Sequence, residues 1–338
     1  MNETHHKKQL YIALIFLLVL LTLNFTLRQI TQIRQVAIAR ESFEEASFDI
    51  RDLMKNKITS YIDVLYYGKK LFEASDMVSR TEFNTFYLDL FNSKKDDLNA
   101  VEMIAYVEKV IDKKAYTNRI RAEKTQTPFQ FLYFNLTTQE DKKTGYIFNY
   151  ISPNIAGSRY FGYDATENPQ LSQAFSKSEA DHALVSTQVV NQFGKDMIFL
   201  IQPIYEKNTL LKATAVSGYI VMGINPSKMF DNIFSSQRIG ESINIETSFL
   251  SNNGDPFYYE KNVALTEQEE KFQSLAHIKL GDKEVFLKTE ASIKLDQTLL
   301  EQFFPDILFF GSSTIVLGFF MFVLTVNMDK EEKKKIDS

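Results

Sequence analysis

Four histidines (His5, His6, His182 and His277) and the adjacent carboxylate pairs Glu44-Glu45 and Asp96-Asp97 are the groups with which this chain could do metal or acid–base chemistry. None is spaced for it. His5-His6 has no further histidine at ligand spacing, and His182 and His277 stand alone, so surface roles are expected for all four. The adjacent carboxylates sit on polar faces and do not converge on one reacting proton. Cysteine is absent, which removes disulfides, thiolate zinc sites and a thiol nucleophile. Gly223-Ile224-Asn225-Pro226-Ser227-Lys228 lacks the second glycine and the Lys-Ser/Thr pair of a phosphate-binding loop. Neither a Gly-x-Ser-x-Gly elbow nor a His-Glu-x-x-His helix occurs. Asn135-Leu136-Thr137 fits a glycosylation acceptor, a pattern short enough to arise by chance. A net charge of −5 offers no basic field to nucleic acid. No active site, metal or cofactor is expected, which leaves recognition as the chemistry available.

The elements that would position recognition groups are legible in the hydropathy pattern. Residues 10–27 (LYIALIFLLVLLTLNFTL) and 307–326 (ILFFGSSTIVLGFFMFVLTV) carry no charge. A helix needs roughly 17–25 such residues to cross a bilayer, and both runs qualify. The first is longer than the apolar core of a signal peptide, about 7–15 residues, and no small-x-small site closes it, so an uncleaved anchor is expected. Lys330, Lys333, Lys334 and Lys335 follow the second run, with Lys294 the nearest base before it. That end is expected in the cytoplasm. Lys7 and Lys8 against Arg28 and Arg34 decide nothing at the first run, but with two spans one end fixes the other. Residues 28–306 are then extracytoplasmic, on a protein of the cell (inner) membrane with both termini inside.

Between the runs, Val36, Ala39, Phe43, Ala46, Ile50, Met54, Ile58, Tyr61, Leu65, Gly68 and Phe72 recur at steps of three or four. This predicts a stalk helix over 28–75. Its stripe is either a core face packed on its own domain or a dimer seam. Ser79-Arg80-Thr81-Glu82 reads as a capping box that opens a second helix. A strand from Ala100 and a helix over 112–123 follow, then strands over 129–134 and 145–151 with a turn at 140–144. Asn168-Pro169 opens a short helix, and 196–205 and 217–224 are apolar strands. Pro203 places the first of these at a sheet edge or at its own end. Ile243 and Ile245 alternate before the turn Asn252-Asn253-Gly254-Asp255-Pro256, and Leu280-Gly281-Asp282-Lys283 marks a hairpin. Helix first and sheet afterwards is an α+β arrangement.

Two stretches resemble a known family. Tyr61-Ile62-Asp63-Val64-Leu65, Leu71-Phe72-Glu73-Ala74-Ser75, Val78-Ser79-Arg80, Glu82-Phe83 and Phe86 resemble the opening signature of CHASE domains. These are extracytoplasmic sensor domains of bacterial receptors and of plant cytokinin receptors. Tyr150-Ile151-Ser152-Pro153-Asn154, Gly162-Tyr163-Asp164, Asn168-Pro169, Ala174-Phe175, Ala183-Leu184-Val185-Ser186 and Ile201-Gln202-Pro203-Ile204-Tyr205 resemble the family's central block. The resemblance implies a long stalk helix, two PAS-like antiparallel-sheet modules with the ligand pocket in the membrane-distal one, and a dimer. The expected organisation is a cytoplasmic terminus over 1–9, a first span over 10–27 and a stalk over 28–75. A distal module over 76–225 and a proximal module over 226–304 follow, then a second span over 307–326 and a cytoplasmic tail over 327–338.

Aligned back from Ser186, the acidic residue that contacts adenine in the plant receptors corresponds to Gln170. An amide both donates and accepts, so a heterocycle still fits, without charge assistance. Ser186 stands where those receptors carry a threonine. Gln170, Ser186, Phe199 and Tyr205, with Tyr150 and Asp164 behind them, are the expected ligand contacts. Each also has a plainer role: Phe199 and Tyr205 as core, Asp164 as the cap of its own loop, Gln170 as a solvated first-turn residue. The expected function is a two-pass sensor without catalytic activity of its own. It would bind a small molecule or peptide and signal to an output module beyond residue 338 or in a separate partner. The alternative is an envelope scaffolding subunit that holds a partner protein without a small ligand.

Overall fold

No proline precedes Pro128 and no glycine precedes Gly68, and the chain accordingly begins as one uninterrupted helix, α1 (Glu3–Ala74). The computed structural model describes residues 3–124, 145–153, 160–192, 194–205, 215–236, 243–250, 256–258 and 270–293, with scattered positions between 310 and 326. The strand expected at 129–134, the turn at 140–144, Asn135-Leu136-Thr137 and the Asn252–Asp255 part of the later turn lie outside the described residues. So do most of the second charge-free run and the charged tail. The chain divides into two compact units. One comprises Met1–Glu44, Thr266–Glu270 and Ser292–Ser338, and the other Glu45–Leu265 and Lys271–Ala291.

In the first unit the described structure is chiefly the opening part of α1. Among the described residues no helix is long and apolar enough to cross a membrane. The side chains of residues 10, 12–14 and 16–17 fall outside that set.

In the second unit, the rest of α1 turns its predicted stripe inward. Ile50, Met54, Ile58, Tyr61 and Leu65 are buried, so along this stretch the stripe is a core face. Helix α2 (Arg80–Ser93) starts at the capping box: Ser79 Oγ accepts from the Glu82 amide, and Glu82 accepts from the Ser79 N–H at 2.8 Å. The box leaves Phe83 and Tyr87 on the buried side.

Strand β1 (Val101–Val110), helix α3 (Lys113–Lys124), strand β2 (Gly145–Ser152), a 3-10 turn (Ala165–Glu167) and helix α4 (Pro169–Asp181) follow. Next come β3 (Val185–Gln192), β4 (Lys195–Tyr205), β5 (Val216–Ile224) and helix α5 (Pro226–Ser236). The first sheet has the order β2-β1-β5-β4-β3, and each of its pairings is antiparallel. β6 (Ile243–Leu250), β7 (Pro256–Tyr258), β8 (Glu270–Leu280) and β9 (Lys283–Ile293) make a second sheet in the order β7-β6-β9-β8. A long helix followed by antiparallel sheets is the α+β arrangement expected.

Both faces of the first sheet are covered. Met103, Ala105, Val107, Phe148, Phe199, Ile201, Tyr219 and Val221 form a core with Leu171, Ala174 and Phe175 of α4. On the other face Tyr106 and Tyr150 pack with Phe72 of α1 and Phe83 of α2. A bulge sets this division. Tyr106 pairs with Tyr150 but Val107 with Phe148, which leaves Asn149 as the extra residue.

Pro203 is not on an edge strand, because β4 lies between β5 and β3. On that side Ile201, opposite Val185, is the last residue of β4 in register with β3. Beyond it β4 pairs only with β5, so Pro203 sits where one side of the strand has no ladder to complete. Helix α5 was not expected. Asn225 accepts from the Lys228 N–H at 3.1 Å, and Asn225-Pro226 repeats the start signal used by Asn168-Pro169.

Candidate functional site

Helix α4 and the sheet face beneath it hold Gln170, Phe199 and Tyr205 of the expected contacts. Asn168 caps the helix by accepting from the N–H groups of Gln170 (3.0 Å) and Leu171 (3.2 Å), and its own amide donates to Gln192 (3.3 Å). Pro169 fills the first helical position, where a missing N–H costs nothing. The helix ends on His182, in the left-handed region at φ 53°. Below α4, Tyr146 stacks on Phe175 with centroids 4.7 Å apart, and Tyr219 meets both rings edge-on. Tyr219 Oη donates to Glu179 at 3.3 Å. Burial first, then Tyr146 and Glu179, push its phenol far above the ordinary range.

The six expected residues do not converge on one point. Gln170 is exposed at the start of α4, while Tyr205 lies beside His182 at the other end, with ring centroids 5.7 Å apart. A helix of this length separates its ends by about 18 Å. Phe199 is fully buried in the core under α4. Tyr150 lies on the opposite face of the sheet, among Phe72, Phe83 and Tyr106, with the Arg80 guanidinium 5.4 Å from its ring.

Asp164 is occupied. It accepts from the Thr166 N–H (3.0 Å) and the Tyr146 N–H (3.3 Å), and its other oxygen lies 2.6 Å from Lys113 Nζ. Capping its own turn is what this carboxylate does here. Tyr205 Oη is buried with no hydrogen-bond partner among the described residues. Burial and then the Glu73 carboxylate raise its phenol above the usual value. Near the other end of α4, burial pushes Tyr163 up to about 12 against the hydrogen bond it makes with Gln192.

Ser186 is committed elsewhere. Its hydroxyl donates to the Leu280 carbonyl at 2.8 Å, and its N–H donates to Asp282 Oδ1 at 2.7 Å. Lys177 Nζ sits 2.6 Å from the second oxygen of Asp282. Burial opposes the charge on Asp282, but the bonds from Lys177 and Ser186 outweigh it and hold the carboxyl below its ordinary range. Neither Lys177 nor Asp282 stood out in the sequence as a partner of Ser186. Thr187 was missed as well: its hydroxyl accepts from the Phe199 N–H at 2.9 Å, where the β3–β4 register shifts. Only the turn signal at Gly281-Asp282 hinted at any of this.

Among the described residues no group of three or more His, Asp or Glu side chains could hold a metal. The arrangement is a sheet face covered by one short helix, with an exposed amide at one end and, at the other, a phenol oxygen without a hydrogen-bond partner among the described residues.

No curated protein matches this chain. Among solved structures, the extracellular domain of mmHK1S-Z3, described as a histidine kinase, aligns at 12% identity and a TM-score of 0.40, over 75% of this chain and 93% of that one. The family model of the CHASE domain matches residues 76–258, more than half of the sequence. That range contains α2, the whole first sheet with α4 against it, and the start of the second sheet, so the chain belongs to the CHASE domain family of extracytoplasmic sensor domains.

Proposed function

We propose that this chain is a two-pass membrane sensor whose segment 28–306 lies outside the cytoplasm and binds a small ligand. The signal would pass through the second charge-free run to an output module, carried by further sequence or by a separate protein. The observation that carries this reading is the placement of the CHASE match, 76–258, between two charge-free runs at 10–27 and 307–326. The exposed apolar side chains of α1 support the first span. Ile15, Leu18, Val19, Leu21, Leu23 and Phe25 are all about half exposed or more, and a helix apolar all round needs lipid or protein against it. Ile30, Ile33 and Ile38 extend the bare surface past the span, which supports a homodimer through the stalk.

Within the ectodomain, the two antiparallel sheets are read as two PAS-like modules over 76–225 and 226–304, with the ligand site on the α4 side of the first. Gln170 is the contact favoured by its exposure. Tyr205 would serve a ligand that reaches the far end of α4. Ser186, Asp164, Phe199 and Tyr150 would act through packing and hydrogen bonds around that site.

The test is a thermal-shift screen of the full chain in lipid nanodiscs against nucleobases, amino acids and small peptides. A compound that raises the unfolding temperature at 100 times its Kd contributes about 2.7 kcal/mol. The expected result is such a compound, with the shift removed by Gln170→Ala. A compound whose shift survives Gln170→Ala moves the site elsewhere, and no compound across broad libraries counts against a small-ligand sensor.

A further inference from the structure

Three consecutive residues on one turn of α4 bind three different parts of the fold. Lys177 Nζ lies 2.6 Å from Asp282 in the β8–β9 turn. Ser178 is fully buried, with its Oγ 2.9 Å from the Ala183 carbonyl and 3.3 Å from that of Ile201 in β4. Glu179 pairs with Lys109 of β1 and accepts from Tyr219 of β5. The helix that covers the candidate site is thus tied to its own sheet by Ser178 and Glu179, and to the second sheet by Lys177.

The second-sheet end of this tie is built closely. Gly281 has φ +63°, and a Cβ there would stand 3.2 Å from the Ser186 amide nitrogen and 3.3 Å from Ser186 Cβ. The turn backbone is therefore pressed against the start of β3, where only glycine has both the conformation and the room. Asp282 then bridges two elements of the first module: one oxygen takes the Ser186 N–H and the other takes Lys177. Its carboxylate is 12% exposed and the lysine 51%. After this turn the chain enters β9, the last strand among the described residues before the second charge-free run.

We propose that Asp282 is the link through which the seating of α4 on the first sheet governs the β8–β9 hairpin. It makes Lys177–Asp282–Ser186 a positioning device between the ligand-side helix and the strand that leads toward the second run. Its use as a signal relay rests on the sensor reading above. Its mechanics do not, because they need only that α4 have two seats with different hydrogen-bond partners for Asp282. A helix that shifts along or away from the sheet withdraws Lys177. Asp282 then keeps one strong donor instead of two, and the hairpin loosens.

The test is hydrogen–deuterium exchange on the full chain in nanodiscs, with no ligand present, so a failed ligand screen and a failed link give separate results. Phe175→Leu disturbs the seat of α4 from its buried face. It is compared in the wild-type, Asp282→Asn and Lys177→Met backgrounds, the last touching only a half-exposed side chain so that the fold persists. The expected result is that Phe175→Leu speeds exchange across β9 at least about twofold, the low end of couplings between contacting residues. In either background the increment disappears, while exchange in α2 is the same throughout. An increment that survives unchanged in both backgrounds, or no increment in the wild type, overturns the proposal.

Discussion

Replacing Phe199 by alanine is expected to cost about 3–5 kcal/mol of folding stability, the range for emptying a phenylalanine site in a close-packed core. For a domain of this size that is a fall of about 6–20 °C in Tm. The side chain is fully buried between β4 and α4, in one cluster with Phe148, Phe175, Tyr219 and Val221. Gln170→Ala, on the exposed first turn of the same helix, should stay within about 0.5 kcal/mol. Thermal unfolding followed by circular dichroism measures both. A loss under about 1 kcal/mol for Phe199→Ala would mean that the space beneath α4 is an open cavity, and Phe199 would return as a ligand contact. The large loss also makes Phe199→Ala a poor probe of binding, since it weakens the fold that presents the site.

The second large effect concerns Gly68, and its sign is opposite to the usual one. Gly→Ala in a helix interior normally stabilises by about 0.5–1 kcal/mol. Here a Cβ would stand 1.7 Å from Tyr87 Oη, 3.0 Å from Tyr87 Cζ and 3.3 Å from Ile220 Cγ2. Tyr87 is fully buried on α2, so its ring has little freedom to retreat. Gly68→Ala is therefore expected to destabilise by about 1–3 kcal/mol, as overpacked cores do. Tyr87→Phe removes the atom that clashes. It also removes a buried hydroxyl with no hydrogen-bond partner among the described residues, so alone it should be near neutral or stabilising. The double variant should regain most of the loss, which a four-member cycle of unfolding temperatures reads directly. A stabilising Gly68→Ala would mean that α1 and α2 pack more loosely than this.

Much of the scaffold was legible because it is local. Ser79 and Glu82 lie three residues apart and form the predicted box. The stripe Ile50-Met54-Ile58-Tyr61-Leu65 needs only helical periodicity, and it is buried as a face. The apolar run around Tyr219–Met222 became the strand between β1 and β4. Gly281-Asp282 formed the hairpin turn. Helix α5 is equally available from Asn225-Pro226, a start signal of the same kind as Asn168-Pro169.

What escaped the sequence was not local. The bulge at Asn149 sends Phe148 and Tyr150 to opposite faces, and nothing in GYIFNYIS signals an extra residue. The alignment of Ser186 with a receptor threonine says nothing of its partners in this fold. Its hydroxyl and amide meet a turn nearly a hundred residues later, a contact that only folding creates. Gln170 and Tyr205 are both expected ligand contacts, and their distance apart depends on the helix between them. The helix between them keeps them at opposite ends.

The absence of cysteine from the chain permits the most direct test of the membrane-sensor account. Met77→Cys places one thiol at a position 83% exposed, between α1 and α2, and Lys335→Cys places one in the tail. Intact cells are treated with a membrane-impermeant maleimide. Display of residues 28–306 on the outer side predicts labelling of Cys at 77 without lysis and of Cys at 335 only after it. Labelling at 77 only after permeabilisation would contradict the account.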